Sequence, residues 1–149
     1  MPLREDYRIR IDFLKTVHYE ATRAGLDPQM VLGLIQVESG FKKYAVSYAG
    51  ARGYMQIMPF WADLIGNGNA RSLFDMRVNI RMGCVILRHY LDIENGDLYM
   101  ALGRYNGSRG KPEYPNAVTA AWKKNWGWEP PKPAAPAPKP NIPAPAANP

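Results

Sequence analysis

The amino-acid sequence predicts a mainly α-helical domain over residues 5–128, followed by a disordered tail rich in Pro and Ala over residues 129–149. Apolar residues recur at spacings of three and four through most of this domain, a pattern typical of amphipathic helices. Period-two alternation is nearly absent, so we expect at most a small β-hairpin between residues 44 and 57. The tail contains almost only Pro, Ala, Lys and Asn, a composition that cannot bury a hydrophobic core.

The first two predicted helices each end at a glycine. The first spans residues 7–24 and stops at Gly25, and its apolar positions are Ile11, Leu14, Val17 and Ala21. The second begins at Asp27-Pro28 and ends at Gly40. The Asp side chain can accept hydrogen bonds from the first turn, and proline is tolerated there because no N–H is needed.

One short helix and three longer ones complete the predicted domain. The short helix follows Pro59. Asp75 can cap a long helix that closes near Gly96, with apolar positions at Ile80, Cys84, Leu87 and Leu91. Asp97 starts the next helix, and residues 116–126 form the last one.

Charge and hydropathy narrow the class of protein. The formal net charge is +6 and the pI about 9.5, which suits any polyanion, including nucleic acid and bacterial cell wall. The basic residues are scattered without a dense run, so we expect no nucleic-acid partner. No apolar run is long enough to span a membrane. Residues 1–17 lack an apolar core and a small-residue cleavage site, so no signal peptide is visible in this chain.

Cysteine and histidine usage gives no sign of a metal, a cofactor or a disulfide. Cys84 is the only cysteine, and its apolar neighbours in a helical pattern predict a buried structural thiol. His18 and His89 are far apart in the sequence and have no ligand spacing. We therefore expect no metal site and no cofactor.

Glu38 occupies an unusual position for a carboxylate. It follows Val31, Leu34 and Ile35 by seven, four and three residues, so it shares the apolar face of the second helix. It also lies in the last turn, where the helix dipole carries partial negative charge. Both effects disfavour the ionised form and predict a raised pKa, as protonation of a glycosidic oxygen requires. An exposed or structurally paired glutamate is the alternative interpretation.

Six sequence blocks occur in a fixed order. The first three are Glu38-Ser39, Ser47, and Gly-Ala-Arg-Gly-Tyr-Met-Gln-Ile-Met-Pro at 50–59. The last three are a central helix at 73–91 with Asn79 and Gly83, Gly-Arg-Tyr-Asn-Gly at 103–107, and Tyr-Pro-Asn-Ala-Val at 114–118. In this order they resemble the soluble lytic transglycosylase (SLT) domain, a branch of the lysozyme-like superfamily that shares its fold with goose-type lysozyme. The resemblance covers about residues 24–122 and implies that helical fold.

The resemblance also implies roles for individual residues. Glu38 is implied as the catalytic acid and base, and Tyr105 as a phenol that reaches and orients it. Substrate-binding positions are implied between residues 47 and 58 and in the last two blocks: Ser47, Tyr54, Met55, Gln56, Met58, Asn106 and Tyr114. Several have plainer alternatives, namely turn stabilisation for Ser47 and Gln56 and core packing for the others in the loop. Tyr54 stands where the family usually has leucine.

By resemblance, the reaction needs one carboxylate. Protonated Glu38 would donate to the oxygen between N-acetylmuramic acid and N-acetylglucosamine, and the muramyl C6 hydroxyl would then attack C1 and form a 1,6-anhydromuramyl end. Three alternatives remain. A goose-type lysozyme would use water, assisted by Glu113 or Asp97; a binding module would not cleave; a basic nucleic-acid-binding protein explains none of the ordered blocks.

The expected partner is therefore the glycan strand of peptidoglycan, bound by a monomer. A wall substrate implies an extracytoplasmic location, in the periplasm or cell envelope. The tail over residues 129–149 is a candidate connection to an envelope or virion partner.

Overall fold

Helices dominate the computed structural model, which describes residues 2–127. The elements are α1 (Pro2–Arg23), α2 (Pro28–Ser39), α3 (Phe60–Ile65), a 3-10 helix (Ala70–Phe74), α4 (Met76–Ile93), α5 (Leu98–Asn106) and α6 (Glu113–Asn125). The prediction of a mainly α-helical domain is confirmed for these residues. The tail predicted over residues 129–149 lies outside the described residues, and the boundary at residue 128 stays a prediction.

Aspartate side chains begin three of the helices, as the sequence predicts. The Asp27 carboxylate accepts a hydrogen bond from the Gln29 N–H at 2.7 Å at the start of α2. Asp75 and Asp97 likewise accept from N–H groups in the first turns of α4 and α5, at 3.0 and 3.1 Å. Each carboxylate satisfies a donor that has no partner within the helix.

Two helices differ from the prediction. Helix α1 begins at Pro2, five residues earlier than expected, and α6 begins at Glu113 instead of residue 116. On α1 the buried stripe includes Phe13, whereas Leu14 is 46% exposed. The reason is the helical period, because Phe13, Val17 and Ala21 lie on one face and Leu14 is rotated about 100° from Phe13.

The loop over residues 40–59, called here the central loop, contains no strand within the described chain. Two isolated bridges, Val46 to Arg52 and Arg52 to Ile57, hold it together. The second is closed by two backbone hydrogen bonds of 2.9 Å between Arg52 and Ile57. The expectation of at most a small hairpin is therefore confirmed.

Helix α2 lies against the C-terminal half of α6 at very short range. A Cβ added at Gly33 would lie 3.0 Å from the Trp122 backbone nitrogen, so a larger residue would have to push α6 away by a few tenths of an ångström. The Gln36 side-chain oxygen accepts hydrogen bonds from Trp126 Nε1 at 3.0 Å and Asn125 Nδ2 at 3.2 Å. These contacts fix the helix that ends in Glu38. No helix among residues 2–127 is both long and apolar enough to cross a membrane.

Candidate active site

Glu38 is half-buried in the last turn of α2, next to the start of the central loop. Burial raises the pKa of its carboxyl above the ordinary value of 4.5, and the Tyr114 hydroxyl partly opposes this increase. The predicted direction of the pKa shift is confirmed. A carboxyl group with a raised pKa keeps its proton to higher pH, as a general acid requires.

Tyr114 lies in the first turn of α6 and has its hydroxyl near Glu38. Its side chain is only 8% exposed, and its hydroxyl forms no hydrogen bond of normal geometry within residues 2–127. It nevertheless lies close enough to Glu38 to lower the pKa of that carboxyl. Burial raises the pKa of Tyr114 well above 10, and the charge of Glu38 raises it further. A buried hydroxyl without a hydrogen-bond partner is uncommon. The Tyr114 hydroxyl can therefore donate to Glu38 when that carboxyl group is ionised.

Tyr105 also lies within electrostatic range of Glu38, but its hydrogen bond goes elsewhere. Its hydroxyl donates to the Met55 backbone carbonyl at 2.6 Å, instead of to Glu38 as the sequence interpretation expected. The reason is that a buried carbonyl needs a partner, and no helix or strand supplies one to Met55. Burial raises the pKa of Tyr105 well above 10, and the charge of Glu38 adds to this. Tyr105 thus ties α5 to the central loop.

Asn79 holds the same loop from α4, a contact for which the sequence carried no signal. Its side chain is fully buried, accepts a hydrogen bond from the Met55 N–H, and donates to the carbonyls of Arg52 and Leu73, each at 2.8 Å. A Cβ at Gly53 would lie 2.4 Å from Asn79 Nδ2. Gly53 also has a positive φ of 78°, a conformation that favours glycine.

Two residues predicted to contact substrate are part of the hydrophobic core. Met55 has no exposed surface, and its sulfur fills the space that a side chain at Gly83 would need. Tyr54 is 6% exposed, and its ring packs against Phe13 at a centroid distance of 4.9 Å. Burial therefore favours packing for both side chains over the glycan contact predicted for them.

Ser47 and Gln56 are half-buried and shape the central loop. Ser47 Oγ accepts a hydrogen bond from the Ala51 N–H at 2.9 Å. Gln56 has a φ of 54°, a left-handed conformation that disfavours most side chains. Its Nε2 donates to the carbonyls of Ala45 at 3.1 Å and Gly53 at 3.0 Å. Turn stabilisation, the alternative noted for both residues, is what the structure contains, and substrate contact stays a prediction.

The remaining predicted contacts lie nearer the surface. Met58 is half-buried at the end of the central loop. Asn106 is exposed at the end of α5, and its Nδ2 donates to Ser108 Oγ at 2.7 Å. Neither is shown to face Glu38, so their roles as binding residues stay predictions.

Of the two acids considered as a second catalytic carboxylate, one caps a helix and the other is exposed. Asp97 caps α5, and Glu113 is exposed in the first turn of α6. No acid is among the causes of the Glu38 pKa shift. Within residues 2–127, no group of three or more His, Cys, Asp or Glu side chains could hold a metal ion.

Comparison with known proteins gives one family. Residues 15–125 match the family model described as the transglycosylase SLT domain. A transglycosylase of Enterobacteria phage PRD1 is 34% identical over 104 residues, covering 70% of this chain and 38% of the phage protein. A membrane-bound lytic murein transglycosylase C of Haemophilus influenzae is 34% identical over 113 residues, covering 66% and 32%.

Two solved structures share the fold. An inactive glutamate-to-glutamine mutant of the lytic transglycosylase Slt from Pseudomonas aeruginosa is 28% identical, with a TM-score of 0.58, covering 74% of this chain and 18% of that one. The 70 kDa soluble lytic transglycosylase of Escherichia coli has the same TM-score at 18% identity, covering 73% and 18%, and supports the fold alone. The chain thus spans well under half the length of these relatives.

Proposed function

The chain belongs to the transglycosylase SLT domain family, and we propose that it is a lytic transglycosylase that cleaves the β-1,4 bond between N-acetylmuramic acid and N-acetylglucosamine in peptidoglycan. One observation carries the proposal: Glu38 is a half-buried carboxyl group with a raised pKa, beside the half-buried Tyr105 and the buried Tyr114. The relatives named as lytic murein transglycosylases support the substrate class.

Glu38 acts first as the general acid. Burial disfavours its ionised form, so at the working pH a fraction of the enzyme carries the proton that the glycosidic oxygen must receive. Once that proton leaves, the Tyr114 hydroxyl is near enough to donate to the new carboxylate. A charge-assisted hydrogen bond of this kind is stronger than a neutral one, so it stabilises the ionised intermediate more than the starting state.

Glu38 then acts as the general base. It takes the proton from the C6 hydroxyl of the muramyl residue while that oxygen attacks C1 of the same sugar, and a 1,6-anhydromuramyl end forms. The nucleophile belongs to the substrate, so its effective concentration is high and no second carboxylate must position water. This matches a site where Glu113 is exposed and Asp97 is occupied in capping. No cofactor takes part.

Hydrolysis is the second candidate, since goose-type lysozyme shares the single dominant glutamate. It would need an ordered water beside Glu38, with Glu113 as the remaining acid that could assist it. A non-catalytic peptidoglycan-binding module is the third, and a nucleic-acid-binding role the least supported. The raised pKa of Glu38 favours catalysis over both, because a carboxyl group that keeps its proton to higher pH is what a general acid requires.

Mass spectrometry of the soluble products from purified peptidoglycan tests the proposal. We expect anhydromuropeptides from the wild type and a loss of about 100- to 10,000-fold in their rate of release with Glu38→Gln. Glu113→Gln is the matched control, because it makes the same change on an exposed glutamate.

Other outcomes separate the alternatives. Reducing ends, heavier by one water, together with a strong effect of Glu113→Gln, would establish a hydrolase. Binding to the wall without any release by the folded wild type would leave the binding module.

Action on peptidoglycan places the enzyme outside the cytoplasm, in the periplasm or cell envelope. We propose a monomer, because one chain supplies Glu38 and both tyrosines. The segment over residues 129–149 is proposed as a connection to an envelope or virion partner.

A further inference from the structure

Glu94, outside the family blocks, forms the most extensive charged network in the described part of the chain. It is the C-cap residue that directly follows α4, and its side chain is only 10% exposed. Its Oε1 accepts hydrogen bonds from Arg104 Nε at 2.6 Å and Arg109 Nε at 2.5 Å, and its Oε2 accepts from Arg109 Nη2 at 3.1 Å. Three charge-assisted hydrogen bonds thus meet on one carboxylate.

One of the two arginines lies on the helix that carries Tyr105, and the other lies in the linker that leads to Tyr114. Arg104 lies on α5, immediately before Tyr105. Arg109 lies in the linker over residues 107–112, which joins α5 to the first turn of α6 and hence to Tyr114. Glu94 therefore connects the end of α4 to both tyrosine-bearing segments.

The linker also lies close against α5. A Cβ added at Gly103 would be 2.8 Å from the Arg109 Cα, and the Ser108 N–H donates to the Gly103 carbonyl at 2.8 Å. These are local contacts between the linker and the helix before it. The Arg109 side chain joins the linker to Glu94 at the C-terminal end of α4.

We propose that Glu94 is a positioning residue for the proposed reaction, fixing α5 and the linker so that Tyr105 and Tyr114 are held beside Glu38. The inference rests on the proposed function only for its kinetic consequence. Its structural consequence, the environment of the Glu38 carboxyl, is independent of turnover.

The interaction of Glu94 differs from most surface ion pairs in the number of hydrogen bonds that its carboxylate accepts. A single exposed pair contributes little, because two long side chains must be immobilised and water screens the charges. Here one carboxylate joins two guanidinium groups, and one of them binds through two nitrogens to both oxygens. Arg109, followed by Arg104, lowers the pKa of Glu94 to about 2, so the carboxylate stays charged wherever Glu38 titrates.

The test compares Glu94→Gln with Asp92→Asn in the full chain. Asp92 also lies on the last turns of α4 and pairs with Arg88 at 2.8 Å, but this pair is exposed and touches neither tyrosine-bearing segment. Both variants replace a paired carboxylate with its amide. Carbon-13 NMR of labelled glutamate carboxyls gives the pKa of Glu38, with the signal assigned from Glu38→Gln. Product release from peptidoglycan gives kcat and KM.

We expect Glu94→Gln to lower the pKa of Glu38 toward its ordinary value and to reduce kcat about tenfold with little change in KM. Burial is the larger cause of the raised pKa, and a looser linker would admit water. Asp92→Asn should change neither. Arg109→Gln, which leaves the Arg104 pair intact, should give the same changes to a smaller extent, and it serves if Glu94→Gln does not fold.

Two other results would contradict the inference or the proposed function. If Glu94→Gln and Arg109→Gln lower the thermal midpoint but leave the pKa of Glu38 and kcat as in the wild type, Glu94 only stabilises the fold and the inference is wrong. If the wild type releases no product, the proposed function fails, but the NMR comparison still decides whether Glu94 sets the environment of Glu38.

Discussion

Replacing Asn79 with alanine should destabilise the protein more than any surface substitution of the same kind. The Asn79 side chain is fully buried and satisfies three backbone groups: the Met55 N–H and the carbonyls of Arg52 and Leu73. Alanine reaches none of them. Met55 and Leu73 have no exposed surface, so water cannot replace the lost partner there without opening the core.

The magnitude follows from the number of groups left unpaired. Each buried polar group without a partner costs about 1–3 kcal/mol. The Arg52 carbonyl belongs to a half-buried residue, and we count it as rehydrated. Two orphaned groups then give a loss of about 2–6 kcal/mol in the free energy of unfolding, a large share of the roughly 5–15 kcal/mol of a typical domain. At about 2–4 °C per kcal/mol for a chain of this size, the thermal midpoint should fall by roughly 4–24 °C.

Urea denaturation followed by circular dichroism measures this loss, with Asn67→Ala as the matched control. Asn67 is exposed, and its side-chain oxygen also accepts two hydrogen bonds, from Asn69 N and Ser72 Oγ. Its replacement should cost less than about 1 kcal/mol, because water can take over both bonds. A loss at Asn79 no greater than at Asn67 would refute the argument that the central loop depends on this amide.

Three other substitutions test the packing and the charges. Gly83→Ala should cost about 1–3 kcal/mol in a urea melt, because its Cβ would lie 2.4 Å from the Met55 sulfur; an unchanged midpoint would contradict this. Burial raises the pKa of Glu38, so the wild type loses stability as the pH rises above the ordinary value of 4.5. Glu38→Gln should therefore raise the thermal midpoint at neutral pH but not at about pH 4. If the midpoints of variant and wild type differed equally at both pH values, the raised pKa would not be the cause. For Glu94, chiefly Arg109 lowers the pKa to about 2, so its stabilising contribution is present above 4.5 and is lost as the pH falls toward 2. Glu94→Gln should flatten the stability curve in that window, whereas parallel curves would contradict the assignment.

Local signals allowed the helices to be predicted. The Asp27, Asp75 and Asp97 caps act within three residues of themselves, so the sequence around each contains the whole interaction. The raised pKa of Glu38 could be predicted in the same way, since helical spacing placed the residue on an apolar face. The start of α1 at Pro2 was missed because no cap residue or apolar repeat marks it.

The partners of the site residues could not be predicted, because they are set by tertiary contacts. Tyr105 was assigned to Glu38, but its hydroxyl bonds to the carbonyl of Met55, fifty positions away in the chain. Tyr114 is the tyrosine whose hydroxyl approaches Glu38 closely enough to affect its carboxyl pKa through hydrogen bonding. The Glu94 network likewise joins residues ten and fifteen positions apart, with no spacing pattern to signal it.

The hydrogen bonds within the central loop determine which polar atoms of Ser47 and Gln56 remain for the contact with a sugar that we predict for them. The Gln56 amide nitrogen must face the loop, because both of its neighbours there are carbonyl oxygens. Both of these hydrogen bonds use the nitrogen, so in the predicted contact the Gln56 oxygen is the atom left to accept. Ser47 is the reverse, because its oxygen already accepts from Ala51 and its own proton remains to be donated. An acetamido group, with one N–H and one C=O, has the complementary polarity, whereas a carboxylate would meet the Gln56 oxygen unfavourably.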